Sequence, residues 1–179
     1  MADSFLPDNY EPPQSGGNYM RFEIGENKFR VLSSAIVGWE WWTTTAEGKR
    51  QPNRVKNRAD VPAEYLTDAK HFWAMVVWNY KEKKVQILEV TQKGIMRTIA
   101  ALANDKEWGT PFNYDISVVR EGEGLDTEYQ TIPSPPKPLN EEVKDTYDPQ
   151  SINLAALYKG EDPFAVDFDF DAIDKEISK

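Results

Sequence analysis

The sequence predicts a mainly β protein. The expected fold is a five-stranded Greek-key barrel with one helix between its third and fourth strands, an extra N-terminal strand, and an acidic, flexible C-terminal tail. Three observations lead there. Runs rich in β-branched and aromatic residues alternate with polar ones between turn signals. A single stretch, "QKGIMRTIAALAND", has apolar residues at helical spacing. After Ile132 the texture changes to proline and then to acid.

Taken along the chain, residues 1–17 are polar, with Pro12, Pro13 and "SGG", and read as a loose arm. "YMRFEI", the turn "GEN" and the long run "KFRVLSSAIVGWEWW" then read as two strands, the second curved, with a bend or bulge at Gly38. Residues 43–64 are polar, basic and without periodicity, which predicts a long loop. "HFWAMVVWNY" and "KVQILEVT" form a hairpin pair around a charged turn. In the helix that follows, Ile95, Met96, Ile99, Ala100, Leu102 and Ala103 share one face. "NYDISVVR" and "LDTEYQTI" make a last hairpin across the glycine-rich "EGEG". This order of strands and helix is that of the OB-fold.

Beyond it, "PSPPKPL" reads as a stiff extended linker. "DPQSINLAALYKG" reads as a short helix, with Asp148 as cap, Pro149 at its first position and Gly160 at its end. The expected organisation is therefore an arm at 1–17, a barrel domain at 18–132, a linker at 133–148, a short helix at 149–159 and an acidic tail at 160–179.

Composition excludes several classes of function. The 179 residues include no cysteine and one histidine, His71, which removes disulfide frameworks, thiolate metal sites and His-rich zinc sites. No GxxxxGK[ST], GxSxG or HExxH motif is present. The carboxylates of "DFDFDAIDKE" lack the glycine-centred geometry of a Ca²⁺ loop. The expectation is no enzyme, no metal and no cofactor. The opening "MADSFLPDNYEPP" lacks the basic start and apolar run of a secretory signal. No stretch approaches the ~20 apolar residues of a membrane helix, and a soluble intracellular protein with no membrane partner is expected.

Charge is uneven. The net charge is -9, yet residues 18–120 carry 16 bases and 12 acids, whereas residues 121–179 carry 5 bases and 15 acids. A mildly basic body with an acidic end points to nucleic acid, or to an interaction tail. Binding single strands without regard to sequence takes rings on which bases stack and cations that follow the phosphates. Trp39, Trp42, Trp73 and Tyr80 are the candidate rings. Lys49, Arg50, Arg54, Lys56 and Arg58 on the basic loop, with Lys81, Lys83 and Lys84 at the next turn, are the candidate cations. Period-two alternation puts Trp39 and Trp41 on the face of Val37, favouring core for at least one of them, and Trp42 on the face of Glu40. On the next strand Phe72, Ala74, Val76, Trp78 and Tyr80 share one face, and Trp73 lies on the other beside His71 and Asn79.

"GENKFRVLS" with "GWEWW", and "FWAMVVWNY" with "ILEVTQKGI", resemble the OB-fold single-stranded-DNA-binding proteins of tailed bacteriophages over most of residues 5–135. The resemblance implies a protein that coats single-stranded DNA in phage replication, recombination or repair, in the cytoplasm of the infected bacterial host. The acidic end fits the same plan. Phe164, Phe168 and Phe170 would be apolar anchors among the steering acids Asp167, Asp169 and Asp171, for replication or recombination partners. Bacterial homologues usually end in a short acidic run closed by Pro-Phe, whereas here "DPF" is internal and the sequence ends "EISK". The alternative is a protein–protein adaptor or DNA mimic that uses the aromatic surface and acidic tail.

Overall fold

The computed structural model describes residues 17–148 and 150–164. Residues 1–16 of the expected arm, Pro149 of the expected short helix, and the tail residues Asp167, Phe168, Asp169, Phe170 and Asp171 lie outside the described residues.

The chain is mainly β. Its strands are β1 (Tyr19–Met20), β2 (Gly25–Val31), β3 (Ile36–Thr44), β4 (Arg50–Val55), β5 (Lys70–Asn79), β6 (Lys84–Val90), β7 (Asp115–Glu121) and β8 (Glu128–Pro133). Two α-helices, α1 (Lys93–Asn104) and α2 (Glu141–Tyr147), join them, with short 3-10 turns. The strands form one mixed sheet in the order β1-β6-β5-β2-β7-β8, with β3 on β5 and β4 on β3. β1 lies parallel to β6, and the other pairs are antiparallel.

Several expectations change in detail. "GEN" is the start of β2, not a turn. The bend precedes it at residues 22–24 and is held by the Asn27 side chain, whose Oδ1 accepts the Glu23 N–H and whose amide donates to the Glu23 and Val118 carbonyls. The long second strand is interrupted at residues 32–35. Its halves share one edge of β5: β2 on Val77–Asn79 and β3 on Lys70–Ala74. The break is spanned by the Leu32 N–H donating to the Val76 carbonyl and the Val76 N–H donating to Ser33 Oγ.

The loop expected at 43–64 contains β4, which pairs with β3 from Trp39↔Val55 to Thr44↔Arg50. "RQPNRV" has no apolar alternation because β4 is an edge strand, and Pro52 is tolerated there for the same reason. Gly38 is neither bend nor bulge. It lies inside β3, where a Cβ would sit 2.3 Å from the Val55 carbonyl oxygen and 3.2 Å from the Tyr158 ring.

β5 is buried on both faces. Met75 and Val77 point into the main core with Phe29, Val31, Leu88, Val90, Ile116 and Val118, closed by Ile95, Met96 and Ile99 of α1. The α1 residues are the expected helical stripe, each contributing about 1.5–3 kcal/mol on full burial. On the other face Phe72, Ala74, Val76 and Trp78 pack with Val85 and Ile87 beneath Val143, Leu154 and Leu157. The C-terminal stretch thus covers the outside of the sheet.

This also revises the expected linker. Within 133–148, Asn140 caps α2 by accepting the Glu142 N–H, and Val143 is buried. Asp148 ends α2 rather than starting a helix; the following turn, Leu154–Lys159, is a 3-10 helix capped by Asn153 and closed by Gly160 at φ +69°.

A buried ionic cluster holds this end down. Arg30 donates to Asp115, to the Phe112 carbonyl and to the Lys137 carbonyl. Tyr80 donates its hydroxyl to Asp115, and Lys137 pairs with the same carboxylate at 3.0 Å.

Candidate nucleic-acid interface

The β3–β4 hairpin gathers most of the candidate residues. Beyond the Glu40↔Lys70 pair, β3 has β4 as its sole partner among the described strands, so the hairpin projects past the body of the sheet. Its turn is closed by the Thr45 N–H donating to the Lys49 carbonyl, with Gly48 at φ +83°.

The period of two puts Trp39 and Trp41 on one face and Trp42 on the other. Trp41 is buried and stacks on Tyr65, ring centroids 6.0 Å apart. Trp39 is half-buried against His71, with the Arg58 guanidinium 5.4 Å over its ring. Trp42 is 47 % exposed, with Arg50 5.6 Å over its ring. One face of the hairpin therefore presents Trp42 under Arg50, and the other presents Trp39 under Arg58 of the 3-10 turn Arg58–Asp60 that follows β4, with Trp41 buried beside it. Lys49 and Lys56 are exposed beside them, and Lys49, Arg50, Lys56 and Arg58 make no ion pair among the described residues. Such a ring and cation together offer a stacking surface for a base and a charge for its phosphate.

Arg54 differs from the other hairpin cations. Its side chain is 9 % exposed and lies between Glu40, at 3.6 Å, and Glu89, at 2.8 Å. Burial first, and then the hydrogen bond and charge of Glu89, push the Glu40 carboxyl up to about 8. Arg54 is thus committed to two acids. The sequence hid this cluster because Glu40 and Arg54 become cross-strand neighbours through β4, which was expected to be loop.

Trp73 is half-buried against the main core and lines an apolar hollow of about 280 Å³ with Ile99 and Phe112. Tyr80, Lys81, Lys83 and Lys84 lie at the far end of β5. The ten residues of that strand separate them from the hairpin by roughly 30 Å, at ~3.3 Å per residue. Tyr80 is occupied: Lys28 lies 5.1 Å over its ring, and burial together with its bond to Asp115 raises its phenol well above the ordinary value. Lys81 pairs with Glu23, and Lys84 donates to the Gly17 carbonyl. Lys83 is exposed at the turn, at φ +51°. The structure therefore divides the expected site into a projecting aromatic hairpin and a separate lysine turn.

Phe164, the one expected tail anchor among the described residues, packs at the margin of the outer cluster. No group of three or more His, Asp or Glu is placed to hold a metal among the described residues, and no described helix is long and apolar enough to cross a membrane.

The chain is 26% identical over 137 residues to a protein of Escherichia phage T5 named "Probable ssDNA-binding protein". The match covers 62% of this chain and 52% of that protein, so it spans about half the length of the curated relative. No family model and no solved structure matches the chain.

Proposed function

We propose that the chain binds single-stranded DNA without sequence preference through its β3–β4 hairpin. The observation that carries this is the pairing of Trp39 with Arg58 and of Trp42 with Arg50 on the two faces of that hairpin. An indole accepts any base, because every base has a flat face, while guanidinium and ammonium groups follow the phosphates. Lys49 and Lys56 extend the positive rim. The T5 relative and the order of strands and helix support the same reading, with the β framework as an OB-fold.

In this reading the protein coats and protects single strands during phage replication, recombination or repair, in the cytoplasm of the bacterial host. It performs no chemistry of its own. Residues 160–179, with seven acids against two lysines, compete with DNA for the hairpin cations and recruit partner proteins. The domain boundaries at 1–17, 18–132 and 160–179 belong to the same proposal.

The test is tryptophan fluorescence during titration with oligo-dT at several salt concentrations. Stacking quenches the signal, and affinity falls linearly in a log–log salt plot with a slope of about -0.7 per neutralised phosphate. Replacing Lys56 and Arg58 together by Ala lowers that slope by roughly 1 to 1.5. An adaptor acting on proteins would show neither quenching nor a salt slope with DNA.

A further inference from the structure

An aromatic groove lies between β1, β6, β8 and the Trp42–Pro52 and Arg54 side of the hairpin. Its volume is about 540 Å³, within the ~300–1,000 Å³ of small-ligand sites. Four rings line it: Tyr19, Phe22, Trp42 and Tyr129. They come from three separate parts of the chain: the parallel pairing of β1 on β6 places Tyr19 and Phe22, β3 supplies Trp42, and β8 supplies Tyr129.

Alternation explains their placement. In "YMRF", Met20 is buried in the main core and Phe22 packs beside it, while Tyr19 and Arg21 turn outward. Phe22 meets Tyr129 with centroids 6.0 Å apart and planes tilted by 57°. Tyr19 is 39 % exposed and Trp42 is 47 % exposed, so both side chains remain partly open to solvent.

The electrostatics at the rim suit a phosphate. Arg21 is exposed and makes no ion pair among the described residues, and Arg50 lies over Trp42. The one acid lining the groove, Glu89, is paired with Arg54 at 2.8 Å; Asp162 also bears on the Tyr19 phenol, which burial first, and then these two acids, hold above its ordinary value. The amide N–H₂ of Gln92, also at the lining, has no partner among the described residues and is a donor for a base edge or a phosphate.

We propose that this groove is a second stacking site for a nucleobase of single-stranded nucleic acid. Tyr19 presents the ring, and Arg21 holds the adjoining phosphate. Trp42 belongs to both the groove and the hairpin, so a bound strand leaves the hairpin at Trp42 and continues over Tyr19. This rests on the hairpin reading above and names where the strand goes next.

The experiment separates the two. Tyr19→Phe, Tyr19→Leu and Arg21→Ala are titrated with oligo-dT beside wild type and a hairpin variant, Arg58→Ala. Losing a stacked base costs about 1–3 kcal/mol, which is a five- to 150-fold weakening. Tyr19→Leu keeps bulk without a flat face and should bind at least fivefold more weakly. Tyr19→Phe keeps the face and should bind as wild type. Arg21→Ala should reduce the salt slope by about 0.7. Irradiation of 5-iodouracil-substituted oligomers should attach DNA to the peptide holding Tyr19. If Tyr19→Leu and Arg21→Ala bind as wild type while Arg58→Ala is weakened, the groove is overturned and the hairpin reading stands. If wild type itself fails to bind oligo-dT, both fall.

Discussion

Replacing Asp115 by Asn should remove a large share of the protein's stability, though Asp115 is far from the hairpin. Its side chain is fully buried and receives the Tyr80 hydroxyl at 2.6 Å, Arg30 at 3.2 Å and Lys137 at 3.0 Å. Arg30 is itself 1 % exposed. Neutralising the carboxylate leaves that guanidinium as a buried charge without its counter-ion, a change that costs about 3–5 kcal/mol. A whole domain has only ~5–15 kcal/mol to lose. At ~2–4 °C per kcal/mol the melting midpoint should fall by roughly 6–20 °C.

Two further variants fix the mechanism. Lys137→Ala removes a partner that is 54 % exposed and should cost about 0–1 kcal/mol. Tyr80→Phe removes one hydrogen bond to an ionised group, about 1.5–3 kcal/mol. Burial opposes ionisation of Asp115, but the bonds from Tyr80, Lys137 and Arg30 outweigh it and hold the carboxyl below its ordinary value. A depressed carboxyl stabilises the fold above the unfolded pKa and loses that contribution as pH falls through the folded one. The difference between wild type and Asp115→Asn should therefore narrow below about pH 4. Thermal denaturation followed by circular dichroism measures all of this. Equal midpoints for Asp115→Asn and Lys137→Ala would refute the buried-charge reasoning.

Other consequences are direct. Glu40 has a folded pKa raised from 4.5 to about 8, so the folded state holds a proton that the unfolded state releases; stability should decline between these pH values, and Glu40→Gln should flatten that slope in pH-dependent denaturation. Gly38→Ala brings a methyl within 2.3 Å of the Val55 carbonyl, which should separate β4 from β3 and weaken binding to oligo-dT as well as lower the midpoint. Deleting residues 160–179 should tighten single-strand binding at low salt, with the difference vanishing as salt rises, because screening acts within about 10 Å at 0.1 M. Identical isotherms at every salt would remove self-competition.

The parts of the fold legible in the sequence are those whose side chains obey a period. "NYDISVVR" and the stripe of α1 announce β7 and the helix because one face of each meets the core, and "KVQILEVT" announces β6 by its β-branched and apolar run, with Leu88 and Val90 in the main core and Val85 and Ile87 under the outer cover. The same period placed Trp42 outside and one of Trp39 and Trp41 inside. β4 escaped notice because an edge strand on a projecting hairpin has no buried face to impress on its sequence. The double burial of β5 was written in the unbroken run "FWAMVVW", the mark of a strand covered on both sides. Its outer cover, however, comes from a segment whose prolines suggest a linker. α2 had its own signal in "NEEV", an Asn cap followed by two acids. Tyr80 looked available because the sequence shows a ring beside lysines and says nothing of Asp115, which lies across the sheet.

The cover on the outer face of β5 also sets the order in which the protein can be made. Trp78 and Phe72 leave the ribosome long before Leu154 and Leu157, which bury them. Leu157 follows Trp78 by roughly 80 residues, on the order of 4–16 s of synthesis at ~5–20 residues per second. The inner core is complete only once Val118 has emerged, so over the last roughly 40 of those residues a nascent sheet can fill its inner core while its outer apolar face stands open to water. Each new chain thus passes through a sticky half-finished form that chaperones would recognise, and a message truncated before codon 139 would leave every copy in that form.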